Sequence, residues 1–196
     1  MRSGLLLILA TGCRLFEPSV SHDASPPPID VATDSTFGPC PTAYESVTGQ
    51  TSSYRAITAP ANFWTHYAAC NADSPSNTHL AVIDSKPELD ALMASMPPLP
   101  GYYVGGVQAR DQAATDQGWI ALDGKPLISA WILGAPDDGG DQLENNQEQL
   151  TAIDPQQGAL VDVSGIAAYG AICECDHEPV SPIASDYIGS DPNHPP

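Results

Sequence analysis

The sequence predicts an α+β domain flanked by two unstructured segments. Two stretches with apolar residues at helical spacing come early, within residues 60–96. Short runs of β-branched, aromatic and alternating residues follow, separated by Gly, Asp and Pro turns. Helices first and strands afterwards is the α+β order, whereas strict alternation signals a parallel α/β sheet. Four of the five cysteines, Cys40, Cys70, Cys173 and Cys175, lie within this domain.

The chain opens with Met1-Arg2-Ser3-Gly4 and then "LLLILATGC". The apolar run is too short to cross a bilayer, which takes roughly 20 residues. One positive charge before it and small residues after it fit an export signal over residues 1–12. "LATGC" resembles the bacterial lipobox, which implies that Cys13 becomes a lipidated N-terminus. An ordinary signal peptide with a free Cys13 is the alternative. The residue after that cysteine is Arg14, not the Asp that retains lipoproteins at an inner membrane. The resulting expectation is a lipoprotein at the outer membrane or cell surface, touching the membrane only through its lipid, with simple secretion as the alternative. An odd cysteine count in an exported chain fits one special cysteine plus two bridges, with three connectivities open.

Residues 13–38 are rich in Ser, Pro, Asp and Thr and read as a disordered linker. Residues 178–196 read as a similar disordered tail. The domain is therefore expected over 39–177, with no internal repeat. Within it "YRAIT" (54–58) is a strand. "PANFWTHYAACN" (60–71) is a helix with Pro60 in its first turn and Phe63, Trp64, Tyr67, Ala68 and Cys70 on one apolar stripe. "HLAVID" (79–84) is a buried strand. Ser85 and Glu88 form a capping box for a helix through Met96, with Leu89, Leu92, Met93 and Met96 inward. "YYVGGVQ" (102–108) is a strand in which one of Tyr102 and Tyr103 faces the core. "GWIAL" runs into a hairpin turn at Asp123-Gly124. "LTAI", "ALVDV" and "YGAICEC" complete the strands.

This ordered series resembles the C-type lectin-like domain. "FWTHYAAC" is similar to that family's first helix, and "LAVIDSKPELDAL" to its L-A-x-I-x-S-x-x-E stretch. "YYVGGVQ" stands for the W-I-G-L strand, and "GWIALDG" for W-x-x-x-D-G. "AWILGAPDD" resembles the start of its long loop, "EQLTAI" its E-D-C-V-x-I, and "AICE" its closing F-I-C-E. The likeness spans nearly all of 39–176, in order. It implies a fold of two helices, short antiparallel strands and one long irregular loop. It also implies bridges Cys70–Cys173 and Cys40–Cys175. The family's second usual bridge, at the loop base, is missing: Leu150 stands at one cysteine position, and none lies near Ser164 or Gly165.

The net charge is −18, from six basic and twenty-four acidic residues. Such a chain repels nucleic acid, so no nucleic-acid partner is expected. The charge peaks in "GAPDDGGDQLENNQEQL" (134–150), with five carboxylates and no basic residue. A calcium loop, part of a binding site and a solvated acidic loop all fit that composition. Calcium takes about six to eight hard oxygens. By resemblance, its ligands are Asp137 beside Pro136, the later Glu148, and Asp162. Ala135 and Val161 replace two usual ligands, and Leu160 replaces a tryptophan. Asp138, Asp141 and Glu144 are the candidate substitutes. The expected ligand is a glycan or a protein, met at Pro136, Asp137, Glu148 and Trp131. A calcium-independent interaction module is the alternative. Trp64 and Trp119 read as core residues. His66, His79 and His177 show no metal-ligand spacing and read as core or surface histidines. There is no GxSxG or HExxH motif and no Cys–His pair free of bridging duty, so no enzyme is expected.

Overall fold

A computed structural model of the chain describes residues 38–140 and 143–194. The signal, the linker up to residue 37 with Cys13, and Asp141 lie outside these described residues. Among them, strands β1 (Glu45–Ser46), β2 (Ser53–Ala61), β3 (Thr78–Leu80), β4 (Tyr102–Gln108), β5 (Trp119–Ala121), β6 (Leu150–Asp154), β7 (Ala159–Val163) and β8 (Tyr169–Cys175) form one sheet. Its order is β1-β2-β8-β4-β6-β7, with β3 added to β8 and β5 to β4. All pairs are antiparallel except β4 with β8. Helices α1 (Phe63–Asp73), α2 (Lys86–Ser95) and α3 (Pro182–Ser190) pack on the sheet.

The central strand β4 shows how alternation divides the core. Tyr102 and Tyr103 are both fully buried, on opposite faces, where one was expected. Tyr103 joins Phe63, Trp64 and Cys70 of α1 and Ala184 and Ile188 of α3. Tyr102 joins Leu89 and Leu92 of α2 with Ile153 and Leu160. Each phenol reaches a backbone acceptor: Tyr103 donates to Ser164 O at 2.9 Å and Ala167 O at 2.8 Å, and Tyr102 donates to Pro97 O.

Three local expectations are corrected. Pro60 belongs to β2, not to α1. The strand continues past a register shift between Ile57 and Ala61, the kind of irregularity that tolerates proline, and Asn62 takes over as cap by accepting Thr65 N at 2.9 Å. On α1, Ala68 is exposed and His66 is buried instead, its Nε2 within 2.9 Å of Tyr169 O. The tail is not wholly irregular. Pro182 sets the first turn of α3, and Ala184 and Ile188, one turn apart, are buried while Ser181 N donates to Leu122 O at 2.7 Å. The α2 cap follows the sequence reading: Ser85 Oγ accepts Glu88 N at 3.3 Å. Glu88 itself turns back to accept Asp84 N at 2.8 Å and the Tyr54 hydroxyl at 2.6 Å.

Both expected bridges are present, Cys70–Cys173 and Cys40–Cys175. The loop base carries no bridge among the described residues, and close packing takes its place. Gly165 sits against Trp64 and Leu150 so closely that an added Cβ would lie 2.5 Å from the indole and 2.8 Å from the leucine methyl. Gly165→Ala is therefore expected to destabilise the fold by about 1–3 kcal/mol through overpacking. Thermal melts should show this against Gly189→Ala, where the added methyl meets no atom within 4 Å beyond its chain neighbours and own helix backbone.

Candidate metal centre

The long loop leaves the sheet after Trp131, which bridges Leu160 and packs edge-on to Trp119 with ring centroids 4.9 Å apart. Trp131 is half-buried and forms the wall of the loop base. The chain then passes Gly134 (φ 101°), a cis Ala135–Pro136 bond, and three successive left-handed residues, Asp138 (φ 51°), Gly139 (φ 96°) and Gly140 (φ 90°). The glycines suit these conformations, and Asp is one of the few side chains that tolerate them.

Asp138 is buried, and its carboxylate accepts the backbone N–H groups of Asn145, Gln147 (2.9 Å) and Glu148 (2.8 Å). It closes the loop on itself. Glu144 points elsewhere. It accepts Gln108 Nε2 at 3.1 Å, Gln149 Nε2 at 3.2 Å and Asn146 N at 3.0 Å. These two candidate substitutes thus have their oxygens engaged in holding the loop.

Asp137, Glu148 and Asp162 come together, each offering an oxygen within 4.8 Å of the others. Asp162 projects from β7, which pairs Thr151 with Asp162 and so fixes the carboxylate beneath the loop. Its Oδ2 accepts Asp137 N at 2.7 Å and Asp138 N at 2.8 Å. Glu148 Oε2 accepts Gly139 N at 2.6 Å, and Asp137 Oδ1 accepts Gly140 N at 2.9 Å. Backbone donors thereby orient one oxygen of each carboxylate.

The electrostatics are unbalanced. Burial, then the charge of Asp162, pushes Glu148 up to about 7 against the favourable Gly139 N–H. Burial also raises Asp162, although the Asp138 and Asp137 N–H groups oppose it. The four basic side chains among the described residues are engaged elsewhere: Arg55 with Asp73, Lys86 with Asp90, Lys125 with Asp123, and Arg110 with Ser190 O. Asp162 is 3% exposed, and its Oδ1 is buried without a hydrogen-bond partner. A buried, unpaired carboxylate oxygen is costly unless a proton or a cation meets it. The donor set is all hard oxygen, which suits calcium. The residues present therefore fit that ion, and Asp137, Glu148 and Asp162 are the side chains that would hold it. Ala135 and Val161 supply no side-chain oxygen.

No protein-family model matches the chain, and no curated protein matches it significantly. Solved structures do. The carbohydrate-recognition domain of the mouse scavenger receptor C-type lectin aligns with 71% of this chain and 100% of its own, at 21% identity and a TM-score of 0.57. The C-type lectin CEL-I from Cucumaria echinata aligns with 72% of this chain and 100% of its own, at 20% identity and 0.59. A calcium-independent type II antifreeze protein aligns with 69% of this chain and 92% of its own, at 17% identity and 0.53. These relationships, together with helices α1 and α2, the mixed sheet and the long loop, establish that the chain has the C-type lectin-like fold.

Proposed function

We propose that the domain is an exported binding module whose long loop holds calcium on Asp137, Glu148 and Asp162 and engages a glycan there. The observation that carries this reading is the buried, unpartnered Asp162 Oδ1 beside two more carboxylates with no cation at hand. Three side chains leave part of a calcium coordination sphere open to water or to ligand hydroxyls. The domain is similar to one that is named a carbohydrate-recognition domain. Pro136 and Trp131, at the loop base, shape the rim. Export is supported by the two bridges, which persist in oxidising compartments, and by the lipobox-like start of the chain. Attachment through a lipid on Cys13 is part of the proposal.

A specific observation favours a protein ligand as the second reading. Leu133 is 102% exposed and Leu143 67%, both on this same loop. Exposed leucines suit an apolar partner surface better than a sugar hydroxyl.

Thermal melts in millimolar calcium and in chelator test the metal step. At about 100-fold excess over Kd, an ion that binds only the folded state adds about 2.7 kcal/mol. For a domain of this size that is a rise of about 5–10 °C. Asp162→Asn should abolish it. A glycan panel with calcium then tests the ligand. Melting that calcium leaves unchanged would reject the metal reading, and capture of glycans in chelator would reject its role in recognition.

A further inference from the structure

The last strand reads Cys173-Glu174-Cys175-Asp176. Alternation sends both sulfurs to one face, where they bridge Cys70 and Cys40, and turns Glu174 to the other. Asp176, two residues on, continues the face of Glu174. Strand β3 pairs His79 directly with Glu174. The result is a cluster in which His79, Glu174 and Asp176 each place a donor atom within 4.8 Å of the others. It borders a cleft of about 440 Å³ lined by Asp84, Asp123, Glu174, Asp176 and Glu178 among others.

We infer that His79, Glu174 and Asp176 form a binding site for a divalent transition metal of the zinc class, separate from the long loop. Three observations support it. The first is the donor set, one imidazole nitrogen and two carboxylates, each a ligand type that zinc accepts. The second is the orientation of each donor by an outer hydrogen bond. His79 Nδ1 lies 2.8 Å from the Leu80 carbonyl, which accepts only, so the proton is on Nδ1 and Nε2 faces the carboxylates. Glu174 Oε2 accepts Val82 N at 2.8 Å, and Asp176 Oδ1 accepts Glu178 N at 2.8 Å. Such outer partners characterise metal-ligating side chains. The third is spacing. Nε2 already lies 3.0 Å from Asp176 Oδ1. Ligand atoms around tetrahedral zinc are about 3.3 Å apart, given bonds of about 2.0 Å. A Glu174 oxygen lies within 4.8 Å of both, so side-chain shifts of about 1.5 Å or less would bring the three donors to that spacing. The cleft leaves room for water or a further ligand to complete the sphere.

Without metal, His79 and Asp176 form an ion pair. Burial works against the imidazolium, but the hydrogen bond and charge of Asp176 outweigh it and keep His79 above its ordinary value. Asp176 stands below its own, held down by His79 against burial. Glu174 is raised by burial. The surrounding titratable groups are Asp84, Asp123, His177 and Glu178 around the cleft and Tyr54 opposite Glu174 on β2, with Lys125 bonded to Asp123 and 4.0 Å from Glu178. Zinc replaces the proton on Nε2, so binding releases that proton and weakens as pH falls.

The test is calorimetric titration of the full chain, bridges intact, with Zn²⁺ in a non-coordinating buffer containing millimolar calcium. The expected result is one saturable Zn²⁺ site with a Kd of about 10 μM or tighter, near −7 kcal/mol. Asp176→Asn and His79→Gln should each weaken it at least about tenfold, whereas Glu148→Gln should leave it intact. In the unmodified chain, the ¹⁵N resonance of His79 Nε2 should move on adding Zn²⁺ while Nδ1 keeps its proton. This readout does not depend on either variant folding. Absence of a saturable site below about 100 μM Zn²⁺ overturns the inference. So does an unmoved His79 resonance, or binding lost in Glu148→Gln and retained in Asp176→Asn. The last result assigns zinc to the loop and leaves the calcium reading to be judged by its own melts.

Discussion

Replacing Cys70 and Cys173 together with alanine is expected to lower the stability of the folded domain by about 2–5 kcal/mol. The two residues are 103 positions apart, so their bridge closes most of the domain into one loop. In the chain-entropy model a loop of that length restricts the unfolded ensemble by about 4.7 kcal/mol. Both sulfurs are fully buried and packed with Phe63, Trp64 and Tyr103, so the alanines also leave unfilled volume. Together these effects lower the melting temperature by about 4–20 °C. Removal of Cys40 and Cys175 is the informative comparison. That pair spans 135 positions, but Cys40 is only half-buried, so the loss should be mainly entropic. Melts of the two double variants, followed by circular dichroism, check both expectations. Equal melting of the Cys70/Cys173 variant and the parent would show that packing alone holds α1 on β8.

The second large effect links pH to calcium. Glu148 takes a proton at about 7 in the fold and at 4.5 ordinarily. Below 4.5 both states carry that proton, and its contribution to stability is fully present. As pH rises from there the unfolded chain loses the proton first, so the fold loses stability progressively through about 7. Burial raises Asp162 in the same sense and adds to the loss. In chelator the domain should therefore melt lower at pH 8 than at pH 5. At the proposed site calcium would meet the same carboxylates that the proton does, and so compete with protonation. Its stabilisation should approach the 5–10 °C rise at pH 8 and nearly vanish at pH 5. Glu148→Gln should flatten the loop's part of the pH dependence and remove the calcium effect. A calcium shift of equal size at both pH values would refute the linkage.

Much of the fold was legible because local rules and tertiary structure agree. The Ser85 cap, the β4 strand and the strands at 150–175 all carry strong local patterns, and the structure keeps them. Legibility failed where a pattern was weak or its surroundings misleading. Helix α3 shows only one short apolar repeat, Ala184 to Ile188, inside a Pro- and Ser-rich tail whose composition argues for disorder. Pro60 lost its helix-start role because Asn62 is a better cap two residues later. The three carboxylates of the candidate site were named from resemblance, and the structure places them together. The destinations of Asp138 and Glu144 were not legible. An acidic residue bonds the donors that the backbone path brings to it, and that path depends on turns at Asp138, Gly139 and Gly140. The His79 cluster was invisible for a sharper reason. Its histidine stands 95 and 97 positions from its two carboxylates, and only the register of β3 on β8 brings them together.

The Cys40–Cys175 bridge has a mechanical consequence. The described chain begins at Gly38, and Tyr44 donates to Asp73 at 2.8 Å, at the C-terminal end of α1. The loop base packs on Trp64, near the opposite end of that 11-residue helix and nine residues from Asp73, about 14 Å away. Tension applied between the N-terminal segment and a ligand on the loop therefore runs along the length of the domain. The bridge delivers that load directly into β8, bypassing the turns and the two-residue β1 that would otherwise peel away first. From β8 it passes to β2 and β4 through the sheet and to α1 through Cys70. A single-molecule pull from residue 38 against the loop should thus meet the full sheet at once under oxidising conditions. After reduction it should first release the segment from Gly38 to Ser46.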